Sequence, residues 1–148
     1  MKYQKGRIVM KKTAVIYWSG TGNTEAMANA VAEGMKAAGA EVTVMTPDQV
    51  GSLNGYSAIA FGCPAMGSEV LEEVDFQPMF DNCKNSLSGK SVALFGSYGW
   101  GDGEWMRSWE KDCDSAGVNL VCESVTCCEA PDDAALNACR EMGKTLAG

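Results

Sequence analysis

The chain has 148 residues, of which 46% are hydrophobic, and a formal net charge of −7 at pH 7. Its length and composition are typical of a single globular domain with its own core. The negative charge argues against nucleic-acid binding, which takes its affinity from basic surfaces, and the absence of an apolar run of about 18 residues argues against a membrane span.

The first nine residues are rich in basic side chains and precede a second methionine, Met10. They lack the apolar segment of a secretory signal. We therefore expect an N-terminal extension over residues 1–9, either a tag or an upstream start. A single domain is expected over residues 10–148.

Strand-like apolar runs alternate with helical periodicity along this domain. Strands are predicted at residues 13–18, 41–46, 58–62, 91–96 and 118–125. Helices are predicted at residues 23–38, from about Pro78, at residues 104–116, and after a loop in which Asp132 caps the last helix. This alternation predicts βαβ units and a parallel sheet, whose ligands lie beyond the carboxyl ends of the strands.

The loop after the first predicted strand is rich in glycine and hydroxyl groups but has no cation. It lacks the lysine of a Walker loop and the third glycine of a dinucleotide fingerprint. Its amides at a helix N-terminus predict a phosphate site built from hydrogen bonds alone, and the alternative is a simple tight turn. The residues assigned to phosphate are Ser19, Gly20, Thr21, Gly22, Asn23 and Thr24.

The loops after the third and fourth strands predict a flat apolar slot. Met66 offers a polarizable surface, Glu69 an acceptor, and Gly67 a backbone position that tolerates φ > 0, although this loop alone also fits an ordinary turn. Trp100 stands between glycines and is predicted to be a stacking platform, whereas Trp105 and Trp109 have helical spacing and are predicted to be core. Together with the phosphate loop, this predicts a site for a phosphorylated planar aromatic cofactor.

Seven cysteines without a C-x-x-C motif, in a chain without histidine, indicate reduced thiols in a cytoplasmic protein and no metal site. The adjacent pair Cys127 and Cys128 is interpreted as one core-facing and one loop residue, and a redox pair is the alternative.

The segments WSGTGNTE, PAMGSE and FGSYGWGDGEW occur in order along the chain. With these segments the chain resembles the short-chain, clostridial-type flavodoxins over residues 10–148. The resemblance implies a flavodoxin-like three-layer α/β sandwich whose five-stranded parallel sheet has the order 2-1-3-4-5. It also implies FMN as cofactor and a low-potential carrier that shuttles single electrons through quinone, semiquinone and hydroquinone states.

The same resemblance implies roles for individual residues. The flavin ring would lie between Met66 and Trp100, Glu69 would accept a hydrogen bond from the flavin N3–H, and the Gly67–Ser68 peptide would rotate on reduction. The cofactor-binding residues expected beside the phosphate loop are Pro64, Ala65, Met66, Gly67, Ser68, Glu69, Ser97, Tyr98, Gly99, Trp100, Gly101 and Asp102.

The chain departs from this family in its last loop, where Cys128-Glu129-Ala130 replaces a segment that tends to carry asparagine. The role of this loop is left open. Ser68 also stands where some relatives have Asp or Asn.

The resemblance implies an electron carrier without a substrate-converting active site, and we expect a monomer. The acidic charge favours transient redox partners with basic surfaces, although charge alone is equally compatible with simple solubility. The alternative function is a small flavodoxin-like FMN reductase or quinone oxidoreductase. A phosphatase would need Cys-x5-Arg and a receiver domain an acidic pair after the first strand, and both are missing.

Overall fold

The computed structural model describes residues 10–148, so the expected extension at residues 1–9 lies outside the described residues. The strands of the described residues are β1 Lys12–Tyr17, β2 Glu41–Met45, β3 Ala58–Gly62, β4 Ser91–Tyr98, β5 Asn119–Leu120 and β6 Val125–Cys128. Their pairings are all parallel, and the sheet order is β2-β1-β3-β4-β5, with the short β6 also beside β4. This confirms the predicted topology.

Within residues 10–148, four α-helices cover the two faces of the sheet. They are α1 Asn23–Ala37, α2 Phe76–Cys83, α3 Glu104–Ser115 and α4 Asp133–Ala147. One apolar cluster joins the sheet to α2 and α3, and the other joins it to α1 and α4. In β1, Ala14 and Ile16 enter the first cluster and Val15 the second, which explains why the central strands are continuously apolar. No helix within residues 10–148 has the length and apolarity needed to cross a bilayer.

The prediction of a continuous fifth strand over residues 118–125 is wrong. Leu120 pairs with Val92, and Val125 pairs with Phe95. The outer strand advances five residues between these two pairs, whereas β4 advances only three. Two extra residues therefore bulge out between β5 and β6. The Ser124 hydroxyl in this bulge donates to Glu110 of α3 at 2.6 Å. Pairing resumes through β6, which places Cys127 and Cys128 in a strand and not in the predicted loop.

Two predicted helix ends can be compared directly with the structure. Asp132 caps α4, since its carboxylate accepts from the amide of Ala135 at 2.8 Å. Helix α2 begins at Phe76, two residues before the predicted start, and Pro78 lies in its first turn, where a missing amide proton costs no hydrogen bond.

Helices α1 and α4 approach each other through glycine. A Cβ atom on Gly34 of α1 would overlap the backbone carbonyl of Arg140, and one on Gly143 of α4 would overlap that of Val31. Because the obstacle is backbone and not a flexible side chain, the helices would have to separate to accept any larger residue.

We predict that Gly34→Ala lowers the free energy of unfolding by roughly 3 kcal/mol, because the added methyl group forces α1 away from α4. Urea denaturation followed by circular dichroism measures the change. Gly51→Ala is the matched control, since a Cβ atom there meets open space. Equal effects of the two substitutions would contradict the packing argument.

Candidate functional site

A cavity of about 380 Å³ opens at the carboxyl edge of the sheet, where the loops after β1, β3 and β4 meet. A wider groove of about 830 Å³ runs between β6 and α4, and it shares with the smaller cavity Tyr98, the last residue of β4. The smaller cavity is lined by Trp18, Gly20, Thr21, Asn23, Thr24, Pro64, Ala65, Met66, Ser97, Tyr98, Gly99 and Glu129.

The loop after β1 presents amide groups to this cavity. Gly22 has φ 97° and precedes the first residue of α1. The Ser19 hydroxyl accepts from the amides of Gly22 and Glu25 at 3.1 and 3.3 Å, which holds the loop in its turn. Within residues 10–148, no protein group accepts from the amides of Thr21 and Asn23. These free donors at a helix N-terminus form an anion cradle, and the cavity lining contains no lysine or arginine.

The loop after β3 is a tight turn whose strained residue is Glu69. The Glu69 amide donates to the Met66 carbonyl at 2.8 Å, and the Met66 amide donates to the Val70 carbonyl at 2.9 Å. Positive φ occurs at Glu69, with φ 53°, and not at Gly67, where the sequence suggested this freedom. Gly67 nevertheless has open space around it.

One oxygen of the Glu69 carboxylate is a hydrogen-bond acceptor without a donor. Its Oε1 atom is buried, and no group of the described residues donates to it. A buried carboxylate oxygen without a donor is costly, so this atom fits a ligand that brings an N–H group. The free amides and this acceptor together fit a molecule with an anionic end and a polar ring edge.

The tryptophans divide as the sequence predicts. Trp105 and Trp109 are 1% and 2% exposed and belong to the core of α3, whereas Trp100 is 65% exposed on the loop after β4. The Trp105 indole donates to the carbonyl of Cys63 at 3.1 Å and so ties the second loop to α3. Trp100 has no such anchor, and its ring remains available for stacking.

Ten of the predicted site residues line the cavity: Gly20, Thr21, Asn23, Thr24, Pro64, Ala65, Met66, Ser97, Tyr98 and Gly99. The others lie in the same three loops without contributing to its wall: Ser19, Gly22, Gly67, Ser68, Glu69, Trp100, Gly101 and Asp102.

Two lining residues, Trp18 and Glu129, were not predicted. Trp18 was assigned to the first strand, but it follows the end of β1, and its ring lies against Gly20. Glu129 follows β6 at φ 60°; its amide donates to the Tyr98 carbonyl at 2.7 Å, and its carbonyl accepts from the Ser97 hydroxyl at 2.6 Å. The proline and aspartates after it indicated a loop but gave no sign that it returns to the site.

The cysteines do not form a chemical centre among the described residues. All seven are free thiols, and residues 10–148 contain no cluster suited to a metal ion. Burial raises the pKa of Cys63, Cys113 and Cys139 to about 12, so these thiols stay protonated. Cys127 is half-buried and packs against the core, as predicted for one member of the pair, whereas Cys128 is exposed on the next position of β6 and does not lie in a loop.

The second loop is anchored by the buried side chain of Glu72. Its carboxylate accepts from the amides of Val74, Asp75 and Phe76 at 2.7–3.0 Å. It thereby serves the N-terminus of α2, whose N-cap residue Asp75 makes no side-chain capping bond. Burial opposes ionisation of Glu72, but these amide hydrogen bonds outweigh it and hold its pKa below the ordinary 4.5.

We predict that Glu72→Gln destabilises the protein by about 1–2 kcal/mol at pH 7, because the amides lose a charged acceptor. A lowered pKa contributes stability above pH 4.5, and this contribution is lost as the pH falls through the folded-state pKa. Thermal melts of wild type and variant should therefore converge in acid. Glu73→Gln, on an exposed neighbour, is the control, and a difference that stays constant with pH would contradict the assignment.

A parallel doubly wound sheet with a cation-free anion cradle and an apolar slot at its carboxyl edge defines an α/β protein that binds a phosphorylated aromatic cofactor. The family model described as Flavodoxin matches residues 15–143. The chain belongs to the flavodoxin family. FMN is accordingly its cofactor, and electron transfer is its function.

The relatives cover almost the whole chain. The flavodoxin of Megasphaera elsdenii is 45% identical over 90% of this chain and 96% of its own length, and that of Clostridium beijerinckii is 43% identical over 90% and 97%. The solution structure of two-electron reduced M. elsdenii flavodoxin superposes with a TM-score of 0.83 at 42% identity, covering 91% of this chain and 98% of that one. These matches place the resemblance in the short-chain group.

Proposed function

We propose that this protein binds FMN through its three loops and carries single electrons without converting a substrate itself. The assignment of residues depends on one observation. The site contains both free amides at a helix N-terminus and an acceptor, Oε1 of Glu69, that receives no hydrogen bond from the described residues. The amides of the first loop would hold the phosphate, and Glu69 would accept from the flavin N3–H. When bound, FMN supplies the redox chemistry, and the protein supplies its position and electrostatic surroundings.

Met66 and Trp100 would contact the two faces of the flavin ring. Met66 lines the cavity and is half-buried, while Trp100 is exposed on the third loop and follows the lining residue Gly99 in the sequence. An exposed tryptophan exchanges contact with water for contact with a flat ring, which is favourable without disturbing the core. Ser97, Tyr98 and Gly99 would complete the wall between these two residues.

The site would also disfavour added negative charge. The phosphate cradle contains no cation to offset an anion, and the carboxylates of Glu69 and Glu129 lie in the surrounding loops. Negative groups around a buried ring make it harder to reduce, since each raises the energy of a further negative charge. This arrangement supports a carrier of low potential.

The protein would meet its partners transiently, as a monomer in the cytoplasm. The loops around the cavity contain the acidic residues Glu69, Asp102 and Glu129, which we call the acidic rim, and Asp102 is bound by Arg107 at 2.9 Å. This acidic rim, with the exposed Trp100 in one of its loops, is suited to redox proteins with basic surfaces. The net charge of −7 acts in the same direction.

The direct experiment is to purify the protein and identify what it releases on denaturation. Release of FMN and not FAD, together with two one-electron steps in a spectroelectrochemical titration, is the expected result. Steady turnover of NADH with a quinone would instead favour the reductase alternative and would overturn the proposal of a carrier without a substrate site.

We predict that Trp100→Ala weakens FMN binding by roughly tenfold, since aromatic stacking contributes about 0.5–1.5 kcal/mol beyond area burial. Fluorescence titration of the apoprotein with FMN measures the affinity. Val74→Ala is the control, because Val74 is 79% exposed and lies outside the cavity lining. Both variants should melt like wild-type apoprotein, and an unchanged affinity of Trp100→Ala would refute the stacking role.

We predict that electron transfer to a basic haem protein slows about tenfold as salt rises from low to several hundred millimolar, because salt screens the attraction of opposite charges. Stopped-flow absorbance gives the second-order rate. Transfer to an uncharged quinone should depend little on salt under the same conditions. A rate that is independent of salt for both acceptors would show that the acidic rim serves solubility alone.

A further inference from the structure

The turn after β3 contains a glutamate where such turns favour glycine. Residues 66–69 form a turn closed by the hydrogen bond from the Glu69 amide to the Met66 carbonyl, and Glu69, the last residue of this turn, lies in the left-handed region. That last position is usually glycine, because a side chain there is strained. A strained non-glycine residue that persists in a tight loop points to a function for its side chain. Here the function must lie with the Glu69 carboxylate.

The Glu69 carboxylate rests directly on Gly101 of the third loop. A Cβ atom built on Gly101 would lie 2.6 Å from Cδ of Glu69 and 2.7 and 2.8 Å from its two carboxylate oxygens. These separations are shorter than real contacts, so any side chain at position 101 must displace the carboxylate. Gly101 therefore provides the space in which this group lies.

One oxygen of the carboxylate that lies on Gly101, Oε1 of Glu69, is also shielded from water. Glu69 is half-buried as a residue, yet this oxygen is fully covered and receives no hydrogen bond from the described residues. Gly101 has no side chain that could donate to it, so the oxygen stays unpaired, and a small shift of the carboxylate would present it to an N–H group of the cofactor. A desolvated acceptor forms a stronger hydrogen bond with an incoming donor than a hydrated one does.

We propose that Gly101 is a positioning residue for Glu69. By direct contact between the second and third loops, it fixes and dehydrates the carboxylate that accepts a hydrogen bond from the cofactor. This inference rests on the proposed role of Glu69 toward FMN, and it adds the group that sets the geometry of that role. If so, the strength of the hydrogen bond between Glu69 of the second loop and the cofactor depends on the residue at position 101 of the third loop.

Gly103 is a control that distinguishes the positioning role of Gly101 from a simple requirement for positive φ. Gly101 and Gly103 have φ of 88° and 91°, so alanine is strained to a similar degree at both. A Cβ atom on Gly103 would meet only Nη1 of Arg107, at 3.6 Å, which is an ordinary contact at the end of a flexible side chain. The two alanine variants thus differ chiefly in whether they displace Glu69.

The test compares Gly101→Ala and Gly103→Ala in two backgrounds, wild type and Glu69→Ala, by FMN titration of the apoproteins. Gly101→Ala should weaken FMN binding about tenfold more than Gly103→Ala in the wild-type background, the loss expected for a hydrogen bond to a charged group. In the Glu69→Ala background this difference should disappear. Melting temperatures of the two apoproteins should fall by similar amounts, which excludes a general folding defect.

A second titration uses 3-methyl-FMN, in which a methyl group replaces the N3 proton. Wild type and Gly103→Ala should prefer FMN to this analogue strongly, and Gly101→Ala should show a much smaller preference. Loss of affinity that is equal for the two alanine variants, with an unchanged preference, would overturn the positioning role while leaving Glu69 intact. If Glu69→Ala itself leaves FMN affinity and preference unchanged, both the role of Glu69 and this inference fail.

Discussion

The buried Trp105 indole donates a hydrogen bond of 3.1 Å to the Cys63 carbonyl, and this bond fixes the start of the loop after β3 against α3. Cys63 follows the last residue of β3, and its amide donates to Phe95 of β4. A Cβ atom on Gly96 would overlap this same carbonyl, so β4 must have glycine there. The loop that carries Met66 and Glu69 therefore leaves the sheet in one direction only, fixed by β4 and α3 together.

This constraint explains why three loops distant in sequence converge on one cavity. Parallel strands bring their carboxyl ends to the same edge, and the inner strands leave no freedom because both faces are packed. In the proposed site, the backbone amides would hold the phosphate, while the carboxylates of the surrounding loops would set the electrostatic environment of the ligand.

The strand order, the core helices and the three loops could be predicted, because each follows from a local pattern of apolar spacing, glycine and hydroxyl residues. The bulge between β5 and β6 could not, since it arises from register with β4 and no local residue marks it. Glu69 and Glu129 at positive φ were missed for a related reason. Tertiary contacts hold them in a conformation that their own preferences oppose, and Glu129 reaches the cavity through bonds to Ser97 and Tyr98.

The interrupted outer edge of the sheet has a consequence for the protein in a crowded solution. A long, flat edge strand offers a row of free amides and carbonyls to which a strand from another chain can add. Here the edge consists of a two-residue and a four-residue piece, with two residues displaced between them. A foreign strand would find no continuous ladder, so the break protects the molecule against edge-to-edge aggregation while β6 still supports the loop that brings Glu129 to the cavity.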